Sequence, residues 1–196
     1  MKRIAVIIVA AGASSRMKRP KQLLPFRETT LLGHTIEQAE ASQAAEVFVV
    51  LGANAQRIKT NLSFPDLTFV ENKQWEEGIG ASISTGVKYI AKKKDFDAVL
   101  LMLGDQPLID SVFLDQMIGE FSKDPSKMVA TKYPESKGVP ALFPKKFFPK
   151  LLLLKGDTGA KSLLNDGSSL VTVIDAGRKI LDIDTPEDYL RIDDIL

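Results

Sequence analysis

The segment Ile4–Ala10, IAVIIVA, constrains this chain most, because seven apolar residues in unbroken succession leave no polar face for water. A strand that alternates apolar and polar residues can keep one face in solvent. An unbroken, mostly β-branched run instead suits a strand covered on both faces, the usual condition in a parallel sheet flanked by helices. The run is far short of the roughly 20 residues needed to cross a bilayer. The residues after it are equally specific: the small Ala11, Gly12, Ala13, Ser14 and Ser15, then the cations Arg16, Lys18, Arg19 and Lys21.

Further apolar runs near residues 46–52, 67–72 and 97–105 read as strands, and helical spacing near 31–43, 54–62 and 80–93 separates them. This alternation predicts an α/β layer architecture with a mainly parallel central sheet. The later part is more broken: KMVATKY, VPALF, a helix near 144–154, LVTVIDA and a closing ILDIDTPEDYLRIDDIL. No repeat, low-complexity tract or linker interrupts it, and 196 residues with 44% hydrophobic content are expected to form one domain over 1–196. The 26 Lys and Arg against 25 Asp and Glu leave a net charge of +1, so no overall field draws the chain to nucleic acid or a membrane. The absence of cysteine excludes disulfides, thiolate zinc sites and cysteine nucleophiles, and the single histidine, His34, cannot build a multi-histidine site. Any metal must therefore be held by oxygens. With no signal-cleavage pattern after the first run, the expected location is the cytoplasm.

In an open parallel sheet, ligands bind beyond the carboxyl ends of the strands. The small residues after the first strand let backbone N–H groups approach a ligand closely, and a guanidinium plus an ammonium suits a triphosphate. The stretch reads either as a phosphate cradle or as a tight turn followed by a solvated basic loop. It is neither a dinucleotide fingerprint, which needs three spaced glycines, nor a P-loop, which needs glycine at position 17 followed by Lys-Ser/Thr. In LMLGDQPLI, Asp105 stands at the tip of a central strand, on the sheet edge that carries the first turn. It suits Mg²⁺ and equally suits a turn or helix cap. In ILDIDTPEDYL, Asp182 and Asp184 share one face of an extended run, and Thr185 and Pro186 read as the cap and first turn of a helix.

Together these stretches resemble the MobA-like nucleotidyltransferases, most closely their molybdenum cofactor cytidylyltransferase branch. AAGASSRMKRPKQLLP, from Ala10 to Pro25, is similar to the family opening A-A-G-x-S-x-R-M-G-x-x-K-x-L-L-P, with Lys18 in place of a glycine. A residue with a Cβ resists the positive φ that a glycine there would accept. ENKQWEEGIGASISTGV matches a family segment at Trp75, Gly78, Ser82 and Gly86. GDQP matches the aspartate motif, KGVPALF an R-G-x-P element with Lys137 at the Arg position, LKGDTGAKSLL a G-D-x-G-A segment, and DIDTPEDY the closing D-x-D-T-P-x-D.

The resemblance implies a three-layer Rossmann-like nucleotidyltransferase fold, with a nucleotide-binding half over 1–107 and an acceptor-binding half over 108–196. It implies transfer of CMP from CTP to a phosphorylated acceptor of the molybdopterin type, with release of pyrophosphate and no protein nucleophile. The catalytic residues implied are Arg16, Lys21 and Asp105. Nucleotide would be bound by Ala10, Ala11, Gly12, Ser14, Arg16, Lys21, Gly78 and Ser82, acceptor by Lys137, Gly138, Pro140 and Asp157, and Mg²⁺ by Asp105 and Asp184. The A-A-G turn is similar to the cytidylyl branch, whereas A-G-G marks the guanylyl branch. A molybdenum hydroxylase apoenzyme is the implied protein partner. Three alternatives stand beside this reading: a nucleotidyltransferase for a sugar or polyol phosphate, a nucleotide-binding accessory protein that delivers a cofactor, and a nicotinamide-linked oxidoreductase, which the missing glycine triplet disfavours. Trp75 reads as a core edge or a stacking platform, and His34 as a helix-packed residue. AKKKDFD reads as a solvated helix end, and Phe147, Phe148 and Leu151 as core.

Overall fold

The computed structural model describes residues 2–93, 96–166 and 170–192. In chain order its strands are β1 (Ile4–Ala10), β2 (Pro25–Phe26), β3 (Thr29–Thr30), β4 (Glu46–Leu51), β5 (Thr68–Glu71), β6 (Ala98–Leu103), β7 (Met128–Lys132), β8 (Lys137–Pro144) and β9 (Val171–Ile174). The helices are α1 (Leu31–Glu40), α2 (Ala55–Thr60), α3 (Ile79–Lys93), α4 (Ser111–Lys123), α5 (Phe148–Leu151), α6 (Lys161–Leu164) and α7 (Pro186–Arg191).

The unbroken apolar run is explained by where β1 lies. It sits inside a seven-stranded sheet of order β5-β4-β1-β6-β8-β7-β9, parallel to both neighbours, with Val6 opposite Val47 on one side and Leu100 on the other. Its residues feed two cores in alternation. Ile4, Val6 and Ile8 pack with α1, α2 and α4 through Leu32, Ile36, Ile58, Phe113 and Phe121, whereas Ala5, Ile7 and Val9 pack with α3 through Ile83, Val87 and Ile90. Each buried Ile or Val contributes about 1.5–3 kcal/mol, so a polar residue anywhere in β1 would damage one core or the other. Three layers result, helices on both faces of a mainly parallel sheet.

β5 continues the parallel set beyond β4. On the other flank β8 runs antiparallel to both β6 and β7, and β9 is parallel to β7. The helix expected near 144–154 is shorter in the structure: a 3-10 turn at Lys145–Phe147 leads into α5, where Pro149 supplies no amide hydrogen. Phe147, Phe148 and Leu151 are nonetheless buried, as their spacing implies.

The extended run around Asp182 and Asp184 is not a sheet strand. It is tied to the sheet by a backbone bond from Ile183 N–H to the Asp105 carbonyl, 2.9 Å. Alternation survives locally, since Ile183 is fully buried while both aspartates interact with the Asp105 and Lys21 side. α7 then opens on a capping box, in which Thr185 Oγ1 accepts from Asp188 N–H at 3.2 Å and Asp188 Oδ2 accepts from Thr185 N–H at 2.8 Å. Parts of AKKKDFD and of the closing segment, residues 94–95 and 193–196, lie outside the described residues. Among the described residues no helix is long and apolar enough to cross a membrane.

Candidate active site

Because β1, β4, β5 and β6 run in one direction, the chain segments that leave their carboxyl ends meet along one edge. They frame a cleft of about 420 Å³ whose wall includes Ala10, Ala11, Gly12, Lys21, Gly104 and Asp105. The turn after β1 is held from below by Gln22, only 3% exposed. Its Nε2 donates to the carbonyls of Ala10 at 3.0 Å and Gly12 at 3.1 Å, while its Oε1 accepts from Ser14 Oγ at 3.3 Å. Ser14 Oγ also accepts from Lys21 N–H at 3.1 Å, so this hydroxyl shapes the loop rather than standing free. The Ala11 carbonyl is taken by Ala53 N–H at 2.9 Å. A Cβ placed on Gly12 would meet nothing within 4 Å, which marks open space above the turn. Lys18 lies in the left-handed region with φ 55°, so the local path a glycine would favour is kept by a lysine.

Charge concentrates beside this turn. Lys21 Nζ donates to Asp105 Oδ2 at 2.5 Å and to Asp184 Oδ1 at 2.7 Å, and Arg16 Nη2 donates to Asp184 Oδ2 at 2.9 Å. Burial alone would lower the Lys21 pKa, but Asp105 and then Asp184 outweigh it and hold the ammonium above its ordinary value. For Asp184, burial pushes upward and Lys21 with Arg16 prevails, holding the carboxyl low. Asp182 goes the other way: burial, then the Asp105 charge, raise it, although Gln106 Nε2 donates to its Oδ1 at 2.8 Å. The same Nε2 donates to Tyr133 Oη at 2.9 Å, and Tyr133 Oη donates to the Val139 carbonyl at 2.6 Å. Asp105 Oδ1 and Gln106 Oε1 are buried with no hydrogen-bond partner among the described residues. A carboxylate oxygen left without a donor, facing a second carboxylate across a cation, fits a divalent ion that takes one or two carboxylates plus phosphate oxygens and water.

The cleft continues into a second pocket of about 170 Å³ that shares Val9, Ile79, Leu103 and Asp157 with it. Lys137, Gly138 and Asp157 line this pocket, together with Tyr133 and Lys161. Gly138 is dictated by Tyr133, because a Cβ there would lie 2.6 Å from the ring. Pro140 does not line the pocket. It is buried in β8, and its carbonyl accepts from Thr131 Oγ1 at 2.7 Å. Gly78, at φ 94°, packs against the 156–157 turn, where a Cβ would fall 2.5 Å from Asp157 Oδ1. Ser82 is buried and its Oγ accepts from Asn72 Nδ2 at 3.0 Å. Trp75 is half-buried and lines the cleft. The structure thus brings Arg16, Lys21, Asp105 and Asp184 into one cluster and sets Lys137, Gly138 and Asp157 apart in the adjoining pocket. Gln22, Asn72, Gln106 and Tyr133 are not singled out by sequence, since an amide or phenol acquires its meaning from distant partners. The one local signal is that Gln22 interrupts the apolar Leu23-Leu24 side of the motif with a buried polar group.

The profile of the MobA-like NTP transferase domain matches residues 6–172. Nicotine blue oxidoreductase of Paenarthrobacter nicotinovorans is 29% identical over 197 residues, spanning 95% of this chain and 94% of that one. Rv0371c from Mycobacterium tuberculosis superposes with a TM-score of 0.85 at 29% identity, covering 97% of both chains. A manganese complex of Rv0371c gives 0.82 at 27%, covering 100% of both. A nucleotidyl transferase from Methanothermobacter, Mth528, gives a TM-score of 0.82 at 26% identity, covering 100% of this chain and 98% of that one.

Proposed function

Because this chain belongs to the MobA-like NTP transferase family, we propose that it transfers CMP from CTP to a phosphorylated acceptor of the molybdopterin type and releases pyrophosphate. The observation that carries this reading is the cluster in which Lys21 joins Asp105 and Asp184, with Asp105 Oδ1 left without a partner among the described residues and with Asp105, Lys21 and Gly12 lining one cleft. Asp105 and Asp184 would hold Mg²⁺, which when bound supplies positive charge to phosphate oxygens. The manganese complex of Rv0371c supports a divalent ion in a relative.

The chain's own groups account for the remaining chemistry. Arg16 and Lys21 bind the triphosphate and neutralise the pyrophosphate as it leaves, and the elevated Lys21 pKa keeps that ammonium charged across the neutral range. An acceptor phosphate oxygen forms the new bond to the α-phosphorus while the α-phosphorus to bridging-oxygen bond breaks, its electron pair leaving with pyrophosphate. The attacking phosphate is already anionic, so the step is one of positioning and needs no protein nucleophile or strong base. Ala10, Ala11 and Gly12 form the wall beside the base. Ala11 lines the cleft, and a methyl group there in place of a glycine hydrogen leaves less room beside the base, which favours a pyrimidine. Gly78 and Ser82 complete the nucleotide side within 1–107. Lys137, Gly138 and Asp157 receive the acceptor within 108–196, and Pro140 shapes β8 beneath them. The product passes in the cytoplasm to a molybdenum hydroxylase apoenzyme.

Pyrophosphate release with Mg²⁺, each of the four NTPs, and molybdopterin-type, sugar-phosphate or polyol-phosphate acceptors tests this reading. CTP-selective release with the pterin acceptor that collapses in Asp105→Ala is expected. Greater turnover with GTP overturns the base assignment, and turnover only with another phosphorylated acceptor overturns the acceptor. CTP binding without release favours a delivery protein. The resemblance to nicotine blue oxidoreductase along 95% of the chain favours a redox reaction as the second reading. Loss of NAD(P)H absorbance that depends on an added reducible dye as electron acceptor would support it.

A further inference from the structure

Outside the cleft, the segment that leaves β6 lines a separate depression of about 310 Å³ through Pro107, Leu108 and Asp110. Three other parts of the chain complete it. The β2–β3 turn contributes Arg27, α1 contributes His34 and Gln38, and the 3-10 turn Gly177–Lys179 contributes Arg178 and Lys179. Its polar groups divide into those already engaged and those left over. Asp110 caps α4 by accepting from Phe113 N–H at 2.9 Å through Oδ1, and its Oδ2 accepts from Lys179 Nζ at 2.6 Å. Gln38 Oε1 accepts from Ser111 N–H at 3.1 Å. Both of these groups, and with them Lys179, are therefore spent on the protein itself.

The remainder is cationic. Among the described residues neither Arg27 nor Arg178 has a carboxylate partner, and Arg27 is held only by its face, 5.6 Å from the Phe26 ring centroid. His34 is 6% exposed and its imidazole makes no hydrogen bond among the described residues, with Glu37 no nearer than 3.8 Å. Burial, and then the Arg27 charge, hold its pKa below the ordinary value. It is thus a neutral ring at pH 7 that has one N–H to give. A histidine N–H without a protein acceptor, lining the same depression as two guanidinium groups that have no carboxylate partner among the described residues, forms a recognition surface for a compact anion.

We propose that this depression binds a tetrahedral phosphate dianion, free or carried on a small organic group, through Arg27 and Arg178 with the His34 imidazole as third donor. The guanidinium fork matches two phosphate oxygens, and three donors from three chain segments match a tetrahedral group better than a planar carboxylate. The cavity is roughly ten times the share of liquid volume taken by one water, so an ester substituent fits beside the phosphate.

His34 is the only histidine, so its imidazole Hε1 resonance is unambiguous in nuclear magnetic resonance and reports this site. The protein is titrated with inorganic phosphate, methyl phosphate and acetate at constant ionic strength. A saturable shift with phosphate, absent with acetate, is expected, weakened about tenfold or more in Arg27→Ala and Arg178→Ala. It should persist in Arg16→Ala, which removes a cation of the cleft instead. Tighter binding of methyl phosphate assigns an ester, and equal or weaker binding assigns free phosphate. The proposal is overturned by a response that does not saturate, that acetate reproduces, that survives both arginine variants, or that disappears in Arg16→Ala.

Discussion

Lys21→Met keeps the length of the side chain and removes the charge that joins Asp105 to Asp184. The Lys21 side chain is 14% exposed and that of Asp105 is 18%, so this arm is well shielded, whereas Asp184 at 37% is screened by water. Breaking a fully buried pair costs about 3–5 kcal/mol and an exposed one at most about 1. The cluster lies between these limits, so a loss of about 2 kcal/mol is expected in metal-free buffer at pH 7. For a chain of this size that lowers Tm by about 4–8 °C. The pH dependence has a definite sign. Asp184 is depressed, so its share of stability is present above about pH 4 and is lost as pH falls through its folded pKa. Lys21 is raised, so its share persists below its ordinary pKa and is lost as pH rises through the higher folded value. The gap between natural and variant protein should therefore be flat in the neutral range and shrink at both extremes. Manganese should raise the Tm of the variant more than that of the natural protein, since two carboxylates without their ammonium bind a divalent ion and binding stabilises the folded state. Thermal melts across pH, with and without Mn²⁺, provide the assay. Equal Tm values in metal-free buffer at pH 7, or a gap just as large at pH 3, would refute Lys21 as the counter-charge of this cluster.

Two other substitutions isolate the turn itself. Gln22→Leu removes both donors to the Ala10 and Gly12 carbonyls and should cost about 1–3 kcal/mol. It should raise KM for the nucleotide more than it lowers kcat, and an unchanged KM in steady-state kinetics would count against Gln22 as the support of the cradle. Lys18→Gly relieves a left-handed residue with a Cβ and should stabilise by up to about 1 kcal/mol, whereas Lys18→Val should destabilise by at least as much. A melt showing Lys18→Gly less stable than the natural protein would contradict that account.

The parallel half of the sheet is legible in the sequence because its signal is local. Unbroken apolarity in β1, β4 and β6 reports burial on both faces, and the burial of these strands bears it out. The direction of β8 is not legible. Its buried stretch resembles that of a parallel strand, and only its pairing with β6 and β7 reveals that it runs the other way. The run around Asp182 and Asp184 shows the same limit. Period two sets Ile183 apart from its neighbours, but whether such a segment joins a ladder depends on an available edge, and here it makes a backbone bond to Asp105. At the site, Arg16, Lys21 and Asp105 are visible because charged residues in or beside small-residue turns are conspicuous in a sequence, and Asp184 because it alternates with Asp182 just before a helix cap. Gln106 stands in the sequence only as one letter of a motif, yet it is fully buried and ties Tyr133 to Asp182. An amide can be assigned such a task only when both partners are known in space.

Arg16 and Lys21 meet Asp184 across separations of 168 and 163 residues. At ribosomal rates of about 5–20 residues per second, the cations of the cradle exist for roughly 8–30 s before the carboxylate that pairs with both has been made. Asp105 follows Lys21 by 84 residues, so for about the second half of that interval β1, β4 and β6 can already assemble while the cluster lacks one of its two acids. Completion of the cluster is therefore a late event in the life of each molecule, coupled to docking of the chain beyond β9. If Asp105 and Asp184 hold a divalent ion as proposed, stabilisation by that ion would read out this docking and would distinguish finished molecules from those that have built only the parallel half of the sheet.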